Sequence, residues 1–536
     1  MSNEAPLYIG IPEASREVTA DHAGSKAALL WRMSRLGLNV PPAFVLPTTL
    51  CAGVNNGEPA ARAALARGLS DGIAKLESAT GRRLGDDSAP LLVSVRSGAA
   101  QSMPGMLATV LNVGLNGASV RGVIGLTGNP RLAWDCCRRF IRMYAEVVQE
   151  LPPAEFDDAL AALLHEEAAA DESELDSESL ERLARRFRGI AQRGGSAALP
   201  DAPMDQLLEA ATAVYRSWEG ARAKEYRRLN HLKDEGGTAV TIQAMVFGNT
   251  GGRSGSGVAF TRNPATGAKE LYVDYLADAQ GEDVVSGRRI PGGLDSLARR
   301  LPAAAKALSD GATLLEREFR DIQDIEFTIE NSRLFFLQTR AAKRTPRAAL
   351  RVLVDLVREG VLDEATALAR ADKIEVEATR QTRFAEAAPT IATAIAAAPG
   401  VASGRAAFDT ARAQALAAAG QPVILIRPDT STDDIAGFAA AAGILTAIGG
   451  RTAHAAVVAR QLGKVCLVGC RALSVDAGHR CGMIGTTKVA EGEWISLDGN
   501  SGEISLGRRA IVAELPDLEL AELATWRCKT GSVQTA

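Results

Sequence analysis

The chain has 536 residues, of which 46% are hydrophobic and 23% are charged, and its formal net charge is −4. This length suggests about three or four domains, and the nearly balanced charge gives no reason to expect nucleic acid or an anionic membrane as the main partner. The sequence contains no run of about 18 uncharged apolar residues, the pattern of a membrane-spanning helix, and its first residues carry no signal-peptide pattern. Seven cysteines without a CxxC pair favour a reduced, cytoplasmic protein.

The N-terminal part of the chain combines helices with short buried strands. Residues 21–38 have apolar side chains at helical spacing after a glycine-containing turn, which predicts a helix with Gly37 at its C-terminal end. Residues 91–95 (LLVSV) predict a buried strand that leads into a loop rich in glycine and serine. Residues 130–220 are rich in alanine and predict further helices.

An acidic stretch lies within these predicted helices. Residues 155–181 contain eleven acidic side chains and no lysine or arginine, and four arginines follow within residues 182–188. We interpret the stretch as a solvated helical subdomain, with acids toward the helix starts and bases toward the helix ends. A docking surface for a basic partner is the alternative.

From residue 238 the sequence predicts mainly strands. The segments TAVTIQAMVFG, GVAFTRNPATG and ELYVDYL are strand-like, and DIEFTIENSRLFFLQTR predicts a hairpin that turns at residues 330–332. Between the first two segments lies GNTGGRSGSG, residues 248–257. This glycine-rich stretch is either a lid over phosphate groups or an ordinary hairpin loop.

The C-terminal part begins with helices and continues as an α/β pattern. Residues 341–398 contain no strand candidate, include connecting helices at 346–371 and offer a candidate hinge around 385–400. Strand patterns resume in VILIRP, GILTAI, KVCLVGC and EWISLDGNSGEISLG, so residues 399–508 predict a compact α/β domain. The last 28 residues predict a short helix and a tail.

The sharpest local motif is GGRTAHAAVVARQLG at residues 449–463. Two glycines end a predicted strand and residues 455–462 have helix-forming character, which places His454 at or near a helix N-terminus. The free N–H groups and the helix dipole at such a position disfavour the imidazolium and would bind a phosphoryl group carried by the ring. Thr452 offers an additional hydroxyl donor. A capping or packing role is the alternative for His454.

Two cations near the N-terminus suit a polyphosphate. Lys26 lies at the turn that opens the first predicted helix, and Arg96 follows a buried strand into a glycine-rich loop. Both positions place a cation beside backbone N–H donors, which is the arrangement that phosphate binding needs.

The predicted hairpin carries a second polar set. Strand alternation puts Asp324 and Glu326 on one face of the first strand, and Gln338 and Arg340 on one face of the return strand. The oxygen donors suit Mg²⁺ and Arg340 suits a phosphate. The alternative is a solvated face with a cross-strand pair between glutamate and arginine.

Together these motifs resemble the pyruvate, phosphate dikinase family. The similar stretches occur in the order of that family and cover residues ~20–508. They include GSKAALLWRMSRLGL, LLVSVRSGAAQSMPGMLATVLNVGLN, TIQAMVFGNTGGRSGSGVAFTRNPATG, DIEFTIENSRLFFLQTRAAKRT and GGRTAHAAVVARQLGKVCLVGC. The SMPGM stretch is more similar to the dikinases than to phosphoenolpyruvate synthase or rifampicin phosphotransferase.

The resemblance implies a multidomain chain of the α/β and α+β classes. Residues 1–345 would form an ATP-grasp nucleotide-binding domain, with a helical subdomain inserted at about 112–200 and a β-rich lobe at 238–345. Residues 346–398 would form a helical linker and residues 399–508 a swivelling α/β phosphohistidine domain, followed by a tail at 509–536.

The resemblance also implies roles for individual residues. His454 matches the histidine that is phosphorylated, and Thr452 matches the position at which plant members are regulated by phosphorylation. The positions that match or would face the phosphates are Lys26, Arg96, Thr109 and Arg340. The positions that match the Mg²⁺ and nucleotide set are Asp324, Glu326 and Gln338. The positions that would border the adenine or form a phosphate lid are Gln243, Met245, Val246, Gly251, Gly252 and Gly255.

The sequence also departs from the family pattern. Ser25 and Ala27 flank Lys26 where the family usually has glycine, and Asp274 stands where an acid one carbon longer is usual. The family's C-terminal TIM barrel, which binds pyruvate or phosphoenolpyruvate, has no counterpart in the 28 residues after Arg508, since a barrel needs at least about 200 residues.

The implied activity is the first half of an ATP-dependent phosphotransfer. His454 would take the β-phosphate of Mg²⁺-bound ATP with release of AMP, and the γ-phosphate would pass to inorganic phosphate or to water. We expect the acceptor of the phosphohistidine on a separate barrel-like protein. The alternatives are a small-molecule acceptor, as in rifampicin phosphotransferase, a non-catalytic nucleotide-binding regulator, or a fragment of an ordinary dikinase.

Overall fold

The computed structural model describes residues 5–11, 17–101, 103, 106–194, 199–229, 232, 236–286, 291–429, 434–450, 453–476, 478 and 480–533. The chain divides into two compact units, the first with residues 1–250 and 335–339 and the second with residues 251–334 and 340–536. Across the described ranges, no helix is both long and apolar enough to cross a bilayer. All seven cysteines are free thiols.

The first unit contains seven strands and nine helices in its described part. The strands are β1 (Leu7–Ile9), β2 (Ala43–Leu46), β3 (Arg83–Leu84), β4 (Pro90–Leu91), β5 (Val93–Gly98), β6 (Thr109–Val113) and β7 (Ala239–Ala244). The helices are α1 (Ala20–Arg35), α2 (Leu50–Asn55), α3 (Pro59–Thr80), α4 (Gly117–Thr127), α5 (Pro130–Val147), α6 (Ala154–Glu166), α7 (Ser177–Gly194), α8 (Pro203–Arg216) and α9 (Ala221–Leu229). Short 3₁₀ helices lie at Glu172–Glu174 and Ser217–Glu219.

Five of these strands form one antiparallel sheet in the order β1–β2–β7–β5–β6. Helices α3, α5 and α8 each begin at a proline, whose restricted φ suits the first helical turn. The predicted helix at 21–38, the buried strand at 91–95 and the helices at 130–220 are confirmed as α1, as β4 with β5, and as α5 to α8.

The acidic stretch at 155–181 is paired with arginines. Arg142 lies 2.8 Å from Asp157, and Arg186 lies 2.8 Å from Glu166. Two further ion pairs join Arg182 to Glu167 and Arg138 to Glu172. This pairing favours the interpretation as a helical subdomain over that of a docking surface for a basic partner.

The second unit contains the remaining elements. The remaining strands are β8 (Gly255–Phe260), β9 (Tyr272–Ala277), β10 (Gln323–Glu330), β11 (Arg333–Ala341), β12 (Gln381–Phe384), β13 (Ala392–Thr393), β14 (Ile395–Ala398), β15 (Val401–Ala407), β16 (Val423–Arg427), β17 (Gly443–Thr446), β18 (Val465–Val468), β19 (Leu473–Asp476), β20 (Cys481–Ile484), β21 (Thr487–Ala490), β22 (Trp494–Asp498), β23 (Glu503–Leu506) and β24 (Ile511–Glu514). Residues 335–339 of β11 are assigned to the first unit, and all the other strands lie in the second. The helices are α10 (Gly281–Ser286), α11 (Leu294–Arg300), α12 (Pro302–Phe319), α13 (Pro346–Arg358), α14 (Glu364–Ala371), α15 (Thr410–Ala418), α16 (Ile435–Ala440), α17 (His454–Gln461) and α18 (Asp517–Val533), with a 3₁₀ turn at Glu377–Thr379.

Strands β10, β8 and β9 are antiparallel neighbours in that order. The predicted hairpin turn is confirmed between β10 and β11, where Asn331 and Ser332 have φ values of +49° and +69°. Two consecutive residues with positive φ are typical of the turns whose twist matches a hairpin.

An eight-stranded sheet in the order β13–β23–β22–β15–β16–β17–β18–β14 dominates residues 392–506. Its strands β15 to β18 are parallel and consecutive, and α15, α16 and α17 connect them. Buried apolar side chains form clusters that include Ile444 and Val468 in one, and Leu445 and Leu467 in the other. The predicted α/β pattern is therefore confirmed, because alternate residues of parallel strands fill the layers on both faces of a sheet.

Two sequence predictions for the C-terminal part are wrong. Residues 341–398 contain three strands, and β13 and β14 lie inside the stretch proposed as a hinge and pair with β23 and β18. The last 28 residues form β24 and a helix of 17 residues, which packs Leu523 and Trp526 into a cluster with Leu353. The missed strands have one cause. These segments are alanine-rich or exposed and form strands because they pair with strands far away in the sequence, which a local pattern does not reveal.

Candidate active site

Two glycines bring the start of α1 against the end of β5. Gly24 has a φ of +78° within the helix, and a methyl group at this position would overlap the backbone carbonyl of Gly98. This approach is open to glycine alone. The turn that carries Lys26 is therefore held against the strand that carries Arg96, as the predicted phosphate site requires.

Arg96 belongs to a row of polar residues on one face of the first unit's sheet. In the strand register Arg96 pairs with Thr109 on β6 and with Thr241 on β7. Ser94, two residues earlier on β5, pairs with Gln243. Directly opposed residues and residues two apart share a face. Sequence reasoning missed Thr241 and Ser94, although strand alternation before Gln243 would have found Thr241.

The segment predicted to border the adenine is partly engaged within the chain. The side chain of Gln243 is 2% exposed, and its Nε2 donates to the Pro41 carbonyl at 3.2 Å. The Met245 N–H donates to the Leu92 carbonyl at 2.9 Å. The side chains of Met245 and Val246 are half-buried, so they are the groups of this segment that remain available to a base.

Two glycines of the glycine-rich loop are anchored by contacts within the second unit. The Gly251 N–H donates to Asp278 Oδ1 at 3.0 Å, and the Gly252 carbonyl accepts from Arg300 Nε at 3.0 Å. Gly255 is the first residue of β8, where neighbouring atoms of β9 leave no room for a Cβ. Two of the predicted lid glycines thus lie in an anchored turn and the third in a strand. Their role as a phosphate lid stays a prediction.

Three carboxylates share one face of the sheet formed by β10, β8 and β9. Asp324 and Glu326 lie two residues apart on β10, as predicted. In the register Glu326 pairs with Val258 on β8, and Val258 pairs with Asp274 on β9. Asp274 therefore faces the same side as Glu326 from two strands away, a separation of about 10 Å. Sequence analysis noted Asp274 as a departure from the family pattern and missed this position in the carboxylate row.

Asp324 and Arg340 form the central ion pair of this face. Arg340 Nε donates to Asp324 Oδ2 at 2.7 Å, and Asp324 is 6% exposed. Burial raises the pKa of Asp324, and the charge of Arg340 offsets this only in part. Burial by itself would lower the pKa of Arg340. The charges of Asp324 and Glu326 have the larger combined effect, so the pKa of Arg340 is raised. Asp324 Oδ1 is buried without a hydrogen-bond partner among the described residues.

The oxygen donors of this face fit a Mg²⁺ ion that takes only some of its ligands from the protein. In the described part of the chain, no three His, Cys, Asp or Glu side chains come together as a complete metal site. Mg²⁺ is usually held by one or two carboxylates together with phosphate oxygens and water. The unsatisfied oxygen of Asp324 and the half-buried Glu326 on the same face match that pattern. Gln338, the second predicted ligand, lies on β11 and is 8% exposed.

His454 is the first residue of α17, and Ala453 is the N-cap. This position confirms the predicted placement at a helix N-terminus. The helix follows the carboxyl end of the parallel strand β17, which is where open α/β sheets bind ligands. Gly449, between the strand and the helix, has a φ of +109°. Thr452 lies outside the described residues.

The loop before α17 packs against the sheet that carries the carboxylates. A Cβ on Gly450 would lie 2.7 Å from Cδ of Pro291 and 3.3 Å from Oδ2 of Asp274. The Tyr272 hydroxyl, on the same sheet, donates to the Ala396 carbonyl at 3.2 Å. The backbone that leads to the histidine helix therefore reaches the carboxylate face within the second unit.

Comparison with known families gives two matches. The family model for pyruvate phosphate dikinase, AMP/ATP-binding domain, matches residues 60–302. The model for PEP-utilising enzyme, mobile domain, matches residues 419–502. The first match contains Arg96, Asp274 and the glycine-rich loop, and the second contains Gly450 and His454.

Curated proteins match over almost the whole chain. Pyruvate, phosphate dikinase of Clostridium symbiosum is 43% identical over 489 residues, which cover 90% of this chain and 56% of the relative. Pyruvate, phosphate dikinase 1, chloroplastic, of Arabidopsis thaliana is 41% identical over 92% of this chain and 52% of the relative. Pyruvate, phosphate dikinase 2 of Zea mays is 40% identical over 94% of this chain and 57% of the relative. The chain thus spans about half the length of the curated relatives that it matches.

Proposed function

Because the chain belongs to the pyruvate, phosphate dikinase family through its AMP/ATP-binding and mobile domains, we propose that it is an ATP-dependent phosphotransferase that phosphorylates its own His454. The observation that carries the proposal is the packing of Gly450 against Pro291 and Asp274. This contact supports transfer between a nucleotide at the carboxylate face and the histidine four residues further along the chain.

The proposed reaction begins with attack of a ring nitrogen of His454 on the β-phosphorus of ATP. The bond from the β-phosphorus to the oxygen of the α-phosphate breaks, and AMP leaves. The γ-phosphoryl group then passes to inorganic phosphate, which gives pyrophosphate, or to water, which gives phosphate. One phosphoryl group remains on His454, where the N–H groups at the start of α17 favour its negative charge.

The chain's own cations would supply most of the catalysis by position and charge. We propose that Lys26, Arg96 and Arg340 each bind phosphate groups of ATP, as the family resemblance implies. Two observations support these roles: the turn that carries Lys26 packs against β5, and Arg340 forms an ion pair with Asp324. Mg²⁺, when bound by Glu326 and Gln338, would neutralise charge on the transferring phosphate.

The sequence-derived domain boundaries and acceptor belong to the same proposal. We propose a nucleotide-binding part at 1–345, which follows the family resemblance, and a phosphohistidine part whose sheet includes β13 and β14 as well as strands within 399–508. We also propose that His454 passes its phosphoryl group to a separate barrel-like protein. The free state of all seven thiols supports a cytoplasmic location.

The proposal is tested with ATP labelled in turn at the β and γ positions. The full chain is incubated with Mg²⁺ and labelled ATP, with and without inorganic phosphate, and acid-labile label on the protein is counted. We expect label retained from the β position, release of AMP and no label in His454→Ala, which still binds ATP. Equal labelling of His454→Ala, or no label on folded wild-type protein in either buffer, would contradict the proposal.

A further inference from the structure

One threonine of the first unit's sheet shares a face with Arg96. Thr241 on β7 is directly opposite Arg96 on β5 in the antiparallel register, and directly opposed residues lie on the same face. The strand neighbours of Thr241, Val240 and Ile242, belong to a buried apolar cluster that also contains Val95 of β5. Because consecutive residues of a strand alternate between faces, this cluster lies on the opposite face. Pairing and alternation therefore agree on the direction of the Thr241 side chain.

The hydroxyl group of Thr241 is buried and makes no hydrogen bond within the described part of the chain. The residue is 4% exposed, and its Oγ1 has no hydrogen-bond partner among the residues that the structure describes. Most buried polar side-chain atoms in proteins are hydrogen-bonded, because an unsatisfied donor or acceptor lowers stability. Thr241 thus carries a hydrogen-bonding group that the described fold does not use, which is typical of a ligand-binding residue.

The same end of the sheet holds the turn that carries Lys26. The residue before it, Ser25, donates both its N–H and its hydroxyl to the Ala99 carbonyl, at 2.8 and 3.1 Å. Helix α1, which begins at this turn, contacts both β5 and β7. This end of the sheet therefore combines the hydroxyl of Thr241 with the half-buried Arg96 and the lysine turn, and groups of these three kinds bind phosphate in proteins.

We propose that Thr241 is a phosphate-binding residue, whose hydroxyl donates to a phosphate oxygen of the nucleotide beside the guanidinium of Arg96. Neighbouring strands lie about 4.8 Å apart, so these two opposed side chains can contact one phosphate group. Thr109, on the other side of Arg96, is two strand spacings from Thr241, about 10 Å, and would therefore face a different phosphate group. In this binding mode the long side chain of Arg96 turns aside and gives the phosphate access to the hydroxyl. The inference deepens the proposed function and rests on it for the identity of the ligand.

Equilibrium binding tests the proposal without any phosphotransfer. The full chain and the variants Thr241→Val, Thr241→Ser and Thr379→Val are titrated calorimetrically, in the presence of Mg²⁺, with the β,γ-imido analogue of ATP and with tripolyphosphate, which has no nucleoside. Thr379→Val is the matched control, because Thr379 is also fully buried but its hydroxyl donates to the Val376 carbonyl at 2.6 Å. Thermal unfolding of each variant without ligand is the second measurement.

The two measurements should change in opposite ways in the two valine variants. Thr241→Val should weaken binding of both probes about tenfold, since a charge-assisted hydrogen bond is lost. Without ligand it should unfold at the wild-type midpoint or above, because it no longer buries an unsatisfied hydroxyl. Thr379→Val should unfold at a lower temperature and bind both probes within twofold of the wild type. Thr241→Ser keeps the hydroxyl and should retain most of the wild-type affinity.

Several results would overturn the proposal. Wild-type affinity of Thr241→Val for both probes would do so, as would a loss confined to the imido analogue, since the hydroxyl would then serve the nucleoside. An equal loss of affinity in Thr241→Ser or in Thr379→Val would assign the effect to packing. Failure of the wild type to bind tripolyphosphate would also contradict the proposal. A specific loss in Thr241→Val together with no label on His454 of the wild type would instead refute the proposed phosphotransfer and leave the phosphate-binding residue standing.

Discussion

Gly24 and Gly98 lie so close together that a methyl group on Gly24 would overlap the carbonyl of Gly98. The contact joins the first turns of α1 to the end of β5, and it combines close backbone approach with a φ of +78° at Gly24. Both features exclude a side chain, for separate reasons. The position of Lys26 relative to Arg96 therefore depends on a glycine rather than on either cation.

Gly24→Ala should lower the thermal midpoint and weaken ATP binding at least about tenfold, because backbone must move to relieve the overlap. The matched control is Gly37→Ala, at a φ of +80° with nothing within 4 Å of the added Cβ. In Gly37→Ala the only penalty is that of a non-glycine residue with a left-handed backbone conformation, about 1–2 kcal/mol of folding free energy. Calorimetric binding and thermal unfolding measure both effects. Equal ATP affinity in the two variants would show that the Gly24–Gly98 contact does not position the phosphate site.

Gly450→Ala should slow labelling of His454 from β-labelled ATP at least about tenfold, since an added methyl displaces the loop from Pro291. Binding of AMP should stay within twofold. The control is Gly478→Ala in the same domain, where the nearest atom to an added Cβ is Asp476 Oδ1 at 3.5 Å. Rapid-quench labelling measures the rates. Wild-type labelling by Gly450→Ala would contradict a productive role for this contact.

Arg262 is fully buried and pairs with Glu316 at 2.7 Å and with Glu359 at 2.9 Å. Arg262→Met should therefore lower the free energy of unfolding by about 3–5 kcal/mol, because it leaves the buried carboxylate of Glu316 without a cation. The exposed Glu359 keeps its pair with Lys269 at 2.9 Å. The control is Lys306→Met, which removes an exposed pair with Asp310 at 2.7 Å and should cost little. Urea denaturation followed by circular dichroism compares the two variants. Similar urea midpoints for the two variants would mean that the ion pairs of Arg262 contribute no more to stability than an exposed surface pair.

Stability should fall as the pH rises above 9, and Cys466 should contribute to this slope. Burial raises the pKa of Cys466 from 9.0 to about 12, so the folded thiol keeps its proton while the unfolded thiol loses it. The unfolded state then binds fewer protons, and the contribution is present below pH 9 and lost between pH 9 and about 12.

Cys466→Ala should reduce that slope by up to about 1.4 kcal/mol per pH unit. Leu467→Ala is the control, because it also truncates a fully buried side chain of β18 but removes no titrating group. It should lower stability at every pH and keep the wild-type slope. Unfolding free energies from urea titrations between pH 8 and 11 separate the two. An unchanged slope in Cys466→Ala would assign the alkaline loss to other groups.

Local patterns in the sequence by themselves determined the type of each element that carries the site. His454 was predicted at a helix start because two glycines precede a run of helix-forming residues, and α17 begins at that residue. Asp324 and Glu326 were predicted on one face because side chains alternate along a strand. Such properties depend on residues that lie within one helical turn or a few positions of each other. They can therefore be predicted without knowledge of the tertiary structure.

The tertiary structure alone decided which distant residues meet. The register across β8 puts Asp274 in the row of Glu326, and that across β5 puts Thr241 beside Arg96. The two short strands within 392–398 exist through pairing with β23 and β18, since alanine-rich segments carry no strand pattern of their own. Strand register is set by contacts between segments far apart in the chain, and local periodicity contains no information about them.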